Sequence, residues 1–176
     1  METLAAPWST RANLARLDSR PRDENEAFRF AVLGDAEPGR FWIFRKLFNV
    51  PGVFERQLRR IQGEGVDFSV QLGDMVSRGL PSHYRRLFEE LARWDVRVPY
   101  LSVIGNHDRR SPHGRSDSRL YRSLIGPTNY AFDRGPARLV MLDSSDHRLS
   151  KGRLRWLDKV LGTRRIKIVF THIPPA

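Results

Sequence analysis

With 176 residues, 40% of them hydrophobic and 29% charged, the chain has the length and balance of one globular domain, which excludes a wholly disordered polypeptide. The absence of cysteine excludes disulfides, thiolate zinc sites, iron–sulfur clusters and thiol nucleophiles, so any metal must be held by imidazole, carboxylate, amide or water. A formal charge of +11 raises a nucleic-acid reading, but 27 of the 31 basic residues are arginines scattered along the chain, as on solvated helix faces; a preference for anionic substrates is what survives.

Residues 1–27 are rich in Arg, Asp, Glu, Asn, Ser and Pro, with Leu4, Leu14 and Leu17 as isolated apolar points, and read as a polar, loosely attached arm outside the core. Neither this segment nor any later one has the apolar run of a signal peptide or of a membrane helix, which needs about 18 residues, so a cytoplasmic location is expected. From Phe28 to Leu33 a short apolar strand ends at Gly34-Asp35. Phe54, Leu58 and Ile61 recur at helical spacing, and a second strand, Asp67 to Leu72, ends at Gly73-Asp74. Tyr84, Leu87, Phe88 and Leu91 mark an amphipathic helix, after which the strand Tyr100 to Ile104 ends at Gly105-Asn106-His107-Asp108. Tyr121, Leu124 and Ile125 suggest a short helix. Asn129 to Phe132 and Ala137 to Leu142 flank a hairpin turn at Asp133 to Pro136, so the sheets are mixed rather than purely parallel. Leu154, Leu157 and Leu161 mark a last helix, and the strand Ile166 to Phe170 runs into Thr171-His172. The fold class is therefore α/β, with mixed sheets flanked by helices.

Ligands of open α/β sheets sit beyond the carboxyl ends of the strands. Four predicted strands finish in Asp35, Asp74, Asn106-His107-Asp108 and His172. One Gly-Asp after a strand is an ordinary turn. Three such tips plus a histidine tip are what a polyvalent cation site needs: a glycine for close backbone approach, then an oxygen or nitrogen donor.

Gly34-Asp35-Ala36-Glu37, Gly73-Asp74-Met75-Val76, Gly105-Asn106-His107-Asp108 and Thr171-His172, in this order, resemble the motifs of the calcineurin-like metallophosphoesterases, in the branch similar to cyclic-nucleotide phosphodiesterases and purple acid phosphatases. The segment Tyr130 to Ser144 is similar to the stretch after the third motif in that branch, and the resemblance covers residues 28–176. It implies an α/β/β/α sandwich and two divalent metal ions (Mn, Fe or Zn, with Mg an option), bridged by Asp74. Asp35 would bind one ion, Asn106 and His172 the other. His107 would protonate the leaving oxygen, and Asp108 would accept a hydrogen bond from its other ring nitrogen and fix the tautomer. Arg109 stands where it could meet a substrate phosphate or simply be exposed.

Two departures from the family pattern stand out. Glu37 occupies the place of a histidine, and either coordinates, favouring harder cations, or faces solvent. The family's closing Gly-His-x-His has no counterpart before Ala176, so a fragment, a truncated product or a protein completed by another chain is expected, lacking one ligand for each metal. His113 and His147 are surface residues or substitute ligands, and His83 opens a helix. The resemblance implies hydrolysis of a phosphomonoester or phosphodiester, with a phosphorylated small molecule or macromolecule as partner. The alternatives are a degenerate, non-catalytic member that binds a phosphorylated ligand or protein, and a basic nucleic-acid-binding module.

Overall fold

A computed structural model of the chain describes residues 1–34, 52–110 and 117–174, and in them two three-stranded sheets lie face to face. Strands β1 (Phe30–Leu33), β2 (Phe68–Gln71) and β3 (Tyr100–Ser102) are parallel and lie in that order, with Phe30 opposite Phe68 and Ser69 opposite Tyr100. In the second sheet β4 (Tyr130–Arg134) and β5 (Ala137–Met141) form the antiparallel hairpin, and β6 (Ile166–Phe170) runs parallel to β5. All the strands and the hairpin expected from sequence periodicity are present.

Side chains alternate across each strand, and this divides the core in two. Phe68, Val70, Leu101 and Val103 point at Leu139, Met141 and Phe170 of the facing sheet. Phe68 stacks on Phe30 at 5.3 Å and meets the edge of Phe132 at 5.6 Å, contacts worth roughly 0.5–1.5 kcal/mol each beyond the area they bury. The other face of the parallel sheet receives α3 (Val53–Gly63) and α4 (Pro81–Arg93), which bury Leu58, Ile61, Tyr84, Leu87, Phe88 and Leu91. These are the residues whose spacing of three and four marks the apolar stripe of each helix. The short α5 (Arg119–Leu124) adds Tyr121 and Leu124 to the same cluster. The last helix, α6 (Lys151–Leu161), buries no residue fully; Arg138, on the outer face of β5, donates to the Val160 carbonyl at 3.2 Å and ties it to the second sheet. The layers are helix, sheet, sheet, helix, as the resemblance implied. Among the described residues no helix is long and apolar enough to cross a membrane.

Residues 1–27 depart from the sequence expectation. Two helices, α1 (Glu2–Ala5) and α2 (Thr10–Asp18), joined through a 3-10 turn at Ala6–Trp8, place Ala5, Trp8 and Leu17 in the core. Ser9 caps α2 by accepting from the Ala12 N–H at 3.2 Å. The physical anchor is polar: Asn13, completely buried, accepts the Tyr100 N–H at 2.8 Å and donates to the Ser9 carbonyl at 3.0 Å. An asparagine that satisfies the buried, otherwise unpaired end of a sheet strand is invisible to a count of apolar residues, which is why the segment reads as detached in the sequence. Asn13→Ala orphans a buried N–H and is expected to lower unfolding free energy by about 1–3 kcal/mol in urea titration; an unchanged midpoint would mean that the arm is not part of the core.

Candidate metal centre

At the end of β2 the chain makes two consecutive left-handed residues, Gly73 (φ +87°) and Asp74 (φ +49°). Glycine takes the first at no cost, and aspartate is among the few other residues that tolerate this region. The turn is held by Gln71, whose buried side chain donates to the Gly73 carbonyl at 2.9 Å while its oxygen accepts from the Tyr100 hydroxyl at 3.1 Å. Gly105, at the end of β3, lies so close that a Cβ there would stand 2.2 Å from both the Asp74 nitrogen and Asp74 Oδ1. The bare backbone of Gly105 therefore lets the two strand tips meet, and Asp74 Oδ1 accepts the His107 N–H at 3.0 Å.

His172, beyond β6, brings the second sheet to this point. Its Nδ1 is 2.7 Å from the Leu72 carbonyl, an acceptor only, so Nδ1 carries the proton and Nε2 keeps its lone pair in the neutral ring. That lone pair faces Asn106 Oδ1 at 3.0 Å and Asp74 Oδ1 at 3.3 Å. Three electron-rich atoms converge, and a positive species between them, a proton on Nε2 or a cation, relieves their repulsion. A carboxylate, an amide oxygen and an imidazole form a suitable donor set for a divalent ion. Among the described residues no group of three or more histidines and carboxylates is positioned to hold a metal unaided; with the amide oxygen of Asn106 the donors that meet here number three. Asp35 and Glu37, and also His113, lie outside the described residues.

His107 stands beside this cluster, with Nε2 3.9 Å from Asp74 Oδ2. Its tautomer is fixed, but not by Asp108 as expected. Nδ1 lies 3.0 Å from the Ser77 carbonyl, and Ser77 in turn bonds His83 Nδ1 through its hydroxyl at 3.1 Å. The Asp108 carboxylate points the other way and accepts the N–H groups of Gly105 at 2.8 Å and Val76 at 3.1 Å, which ties the third strand tip to the second. Adjacent side chains in a tight turn diverge, so neighbouring positions in the sequence did not give contact. Burial raises the Asp108 carboxyl to about 7; the two N–H bonds oppose that rise and the nearby Asp74 charge adds to it.

Arg109 corrects a second expectation. It is neither exposed nor open to a substrate: its guanidinium reaches both Asp143 oxygens, at 2.9 and 3.2 Å, and Nε donates to the Ser145 hydroxyl at 2.7 Å. Asp143 also accepts from Arg153 at 3.1 Å. Next to it, the Ser144 hydroxyl accepts the Ile173 N–H at 2.9 Å and so holds the chain carrying His172. His147 is exposed, in a left-handed turn (φ +60°).

The model of the calcineurin-like phosphoesterase family matches residues 28–176. The chain belongs to this family. A purple acid phosphatase isolated from yellow lupin (Lupinus luteus) seeds has the same fold, with a TM-score of 0.60 and 14% identity; the match covers 81% of this chain and 29% of that one, so this chain spans less than a third of the lupin protein. No curated protein sequence matches the chain. In this calcineurin-like domain four of the residues singled out from sequence, Asp74, Asn106, His107 and His172, come together, while Asp108 and Arg109 support them from behind. Sequence reasoning missed Gln71, Ser77, Asp143 and Ser144. A signal existed for Asp143, a carboxylate directly after the apolar strand that ends at Leu142, though without the glycine that precedes Asp74.

Replacing Arg109 by Ala leaves a buried carboxylate with one of its two guanidinium partners, and is expected to cost about 3–5 kcal/mol of unfolding free energy in urea titration. A stability change below about 0.5 kcal/mol, with a raised KM for a phosphoester, would restore the substrate-contact role instead.

Proposed function

We propose that this domain hydrolyses phosphoesters with divalent cations held at the strand tips. The observation that carries the reading is the convergence of the His172 Nε2 lone pair, Asn106 Oδ1 and Asp74 Oδ1. By the family motif, Asp74 would be shared by two ions; Asn106 and His172 would complete one of them, and Asp35 the other. Manganese, iron or zinc suits nitrogen and oxygen donors of this kind. Bound there, such ions supply Lewis-acid chemistry: they lower the pKa of water and offset charge that builds on the phosphoryl oxygens.

The protein's own part falls to His107. With Nδ1 held on the Ser77 carbonyl, Nε2 is the ring atom turned toward the centre, 3.9 Å from Asp74 Oδ2. As the imidazolium it gives the Nε2 proton to the ester oxygen as the bond from phosphorus to that oxygen breaks, a water oxygen forms the new bond to phosphorus, and the ring is left neutral. Ser77, itself held by His83, aims the ring and does not contact the substrate. Membership of the phosphoesterase family and the shared fold of a purple acid phosphatase support a phosphorylated small molecule or macromolecule as substrate.

A binding-only role has one observation in its favour: among the described residues the donor set comprises one carboxylate, one amide and one imidazole. Turnover decides between the readings. The manganese-loaded 176-residue chain is expected to hydrolyse p-nitrophenyl phosphate or its bis ester, and Asp74→Asn to lose at least about a hundredfold in kcat/KM. His107→Gln should lose roughly 10²–10⁴ on an alkyl ester and much less on a p-nitrophenyl ester, whose leaving group needs no proton. Equal rates for the native chain and Asp74→Asn would refute the hydrolase; phosphate binding that requires manganese and is lost in Asp74→Asn, with no turnover, would support the binding role.

A further inference from the structure

The opposite end of the parallel sheet carries a second polar cavity, of about 340 Å³, between the C-terminal end of α2 and the loops that enter β2 and β3. Four arginines, Arg16, Arg20, Arg22 and Arg134, line it against a single carboxylate, Asp67. That carboxylate is already engaged. Its Oδ1 accepts from Arg22 at 3.0 Å and Arg134 at 2.7 Å, and its Oδ2 from the Arg29 N–H at 3.0 Å. Arg22 has a further partner in Glu26.

Among the described residues Arg16 and Arg20 have no such compensation. Arg16 donates only to uncharged acceptors, the Asn13 side-chain oxygen at 3.4 Å and the Arg97 carbonyl, and Arg20 pairs with no carboxylate among the described residues. Partial burial, and secondarily the neighbouring Arg20, lowers the pKa of Arg16 from its ordinary value, the mark of a cation that lacks a counter-charge. The partial negative charge of the α2 C-terminus eases the crowding but supplies no anion. The wall is also rigidly built. Arg134, 6% exposed, donates to the carbonyls of Leu17 and Arg20 and to Asp67, and its Nε is buried with no hydrogen-bond partner among the described residues. Leu17, Val66 and Pro99 give the cavity an apolar side.

We propose that this cavity binds a phosphate-bearing small molecule, with the phosphate between the Arg16 and Arg20 guanidinium groups, as a site separate from the metal centre. Guanidinium forks match phosphate oxygens in pairs, and the volume falls at the low end of small-molecule sites. The four residues of β2, at about 3.3 Å each, put ~13 Å of sheet between the two sites.

Inorganic phosphate titrated calorimetrically into the full chain, in EDTA and at constant ionic strength, reads this site alone. The native chain and Asp74→Asn should bind it equally, and Arg20→Gln, an exposed position whose loss should leave the circular dichroism spectrum unchanged, should weaken binding at least tenfold. Arg16→Gln should do the same. Loss of binding in Asp74→Asn, undiminished binding in both arginine variants, or no binding by the native chain would overturn the assignment.

Discussion

One hydrogen bond, from His172 Nδ1 to the Leu72 carbonyl, decides how the strand tips can act. It spans the two sheets, since His172 follows β6 and Leu72 follows β2, and it leaves the Nε2 lone pair aimed at Asn106 and Asp74. Turned the other way, the ring would place a proton donor among the oxygens and the cluster would be an ordinary hydrogen-bonded turn. Much around it serves to keep this geometry. Gln71 fixes the Gly73 turn, Asp108 clamps two tips of the parallel sheet, and Ser144 holds the chain after His172. The Arg109–Asp143 pair ties the tip of β3 to the tip of β5. Buried polar pairs of this kind add little net stability over apolar packing; here they set the relative placement of two sheets whose interface is otherwise non-directional hydrophobic contact.

The order and kind of the elements were legible because burial imposes a period. Phe68 and Val70 alternate with Ser69 and Gln71 in β2, and Tyr84, Leu87, Phe88 and Leu91 recur every three or four positions in α4. The meeting of Asp74, Asn106 and His172 was legible for a related reason: a glycine followed by a polar donor, repeated at strand ends, leaves a local trace at each tip. What escaped were pairings between residues far apart in the chain. Asn13 meets Tyr100, and Arg109 meets Asp143, through contacts no local pattern encodes. Asp108 misled for the opposite reason, since adjacency to His107 suggested a bond that the turn geometry directs elsewhere.

The arginine excess, diffuse in the sequence, is organised in three dimensions. Several arginines are structural: Arg109, Arg134 and Arg153 each lie against a buried or half-buried carboxylate. Two that lack a counter-charge among the described residues, Arg16 and Arg20, stand together at the N-terminal end of the parallel sheet, away from the strand tips. The strand-tip cluster of Asp74, Asn106 and His172 and the arginines without a counter-charge thus lie at opposite ends of the parallel sheet.

The most direct test of the central claim is nitrogen NMR of histidine-labelled protein titrated with zinc, which reports each ring nitrogen separately. The account predicts that the His172 Nε2 resonance moves to the range of a metal-bound imidazole while Nδ1 stays protonated, its bond to the Leu72 carbonyl intact. Zinc saturation that leaves the His172 ring unchanged, or that binds it through Nδ1, would contradict it.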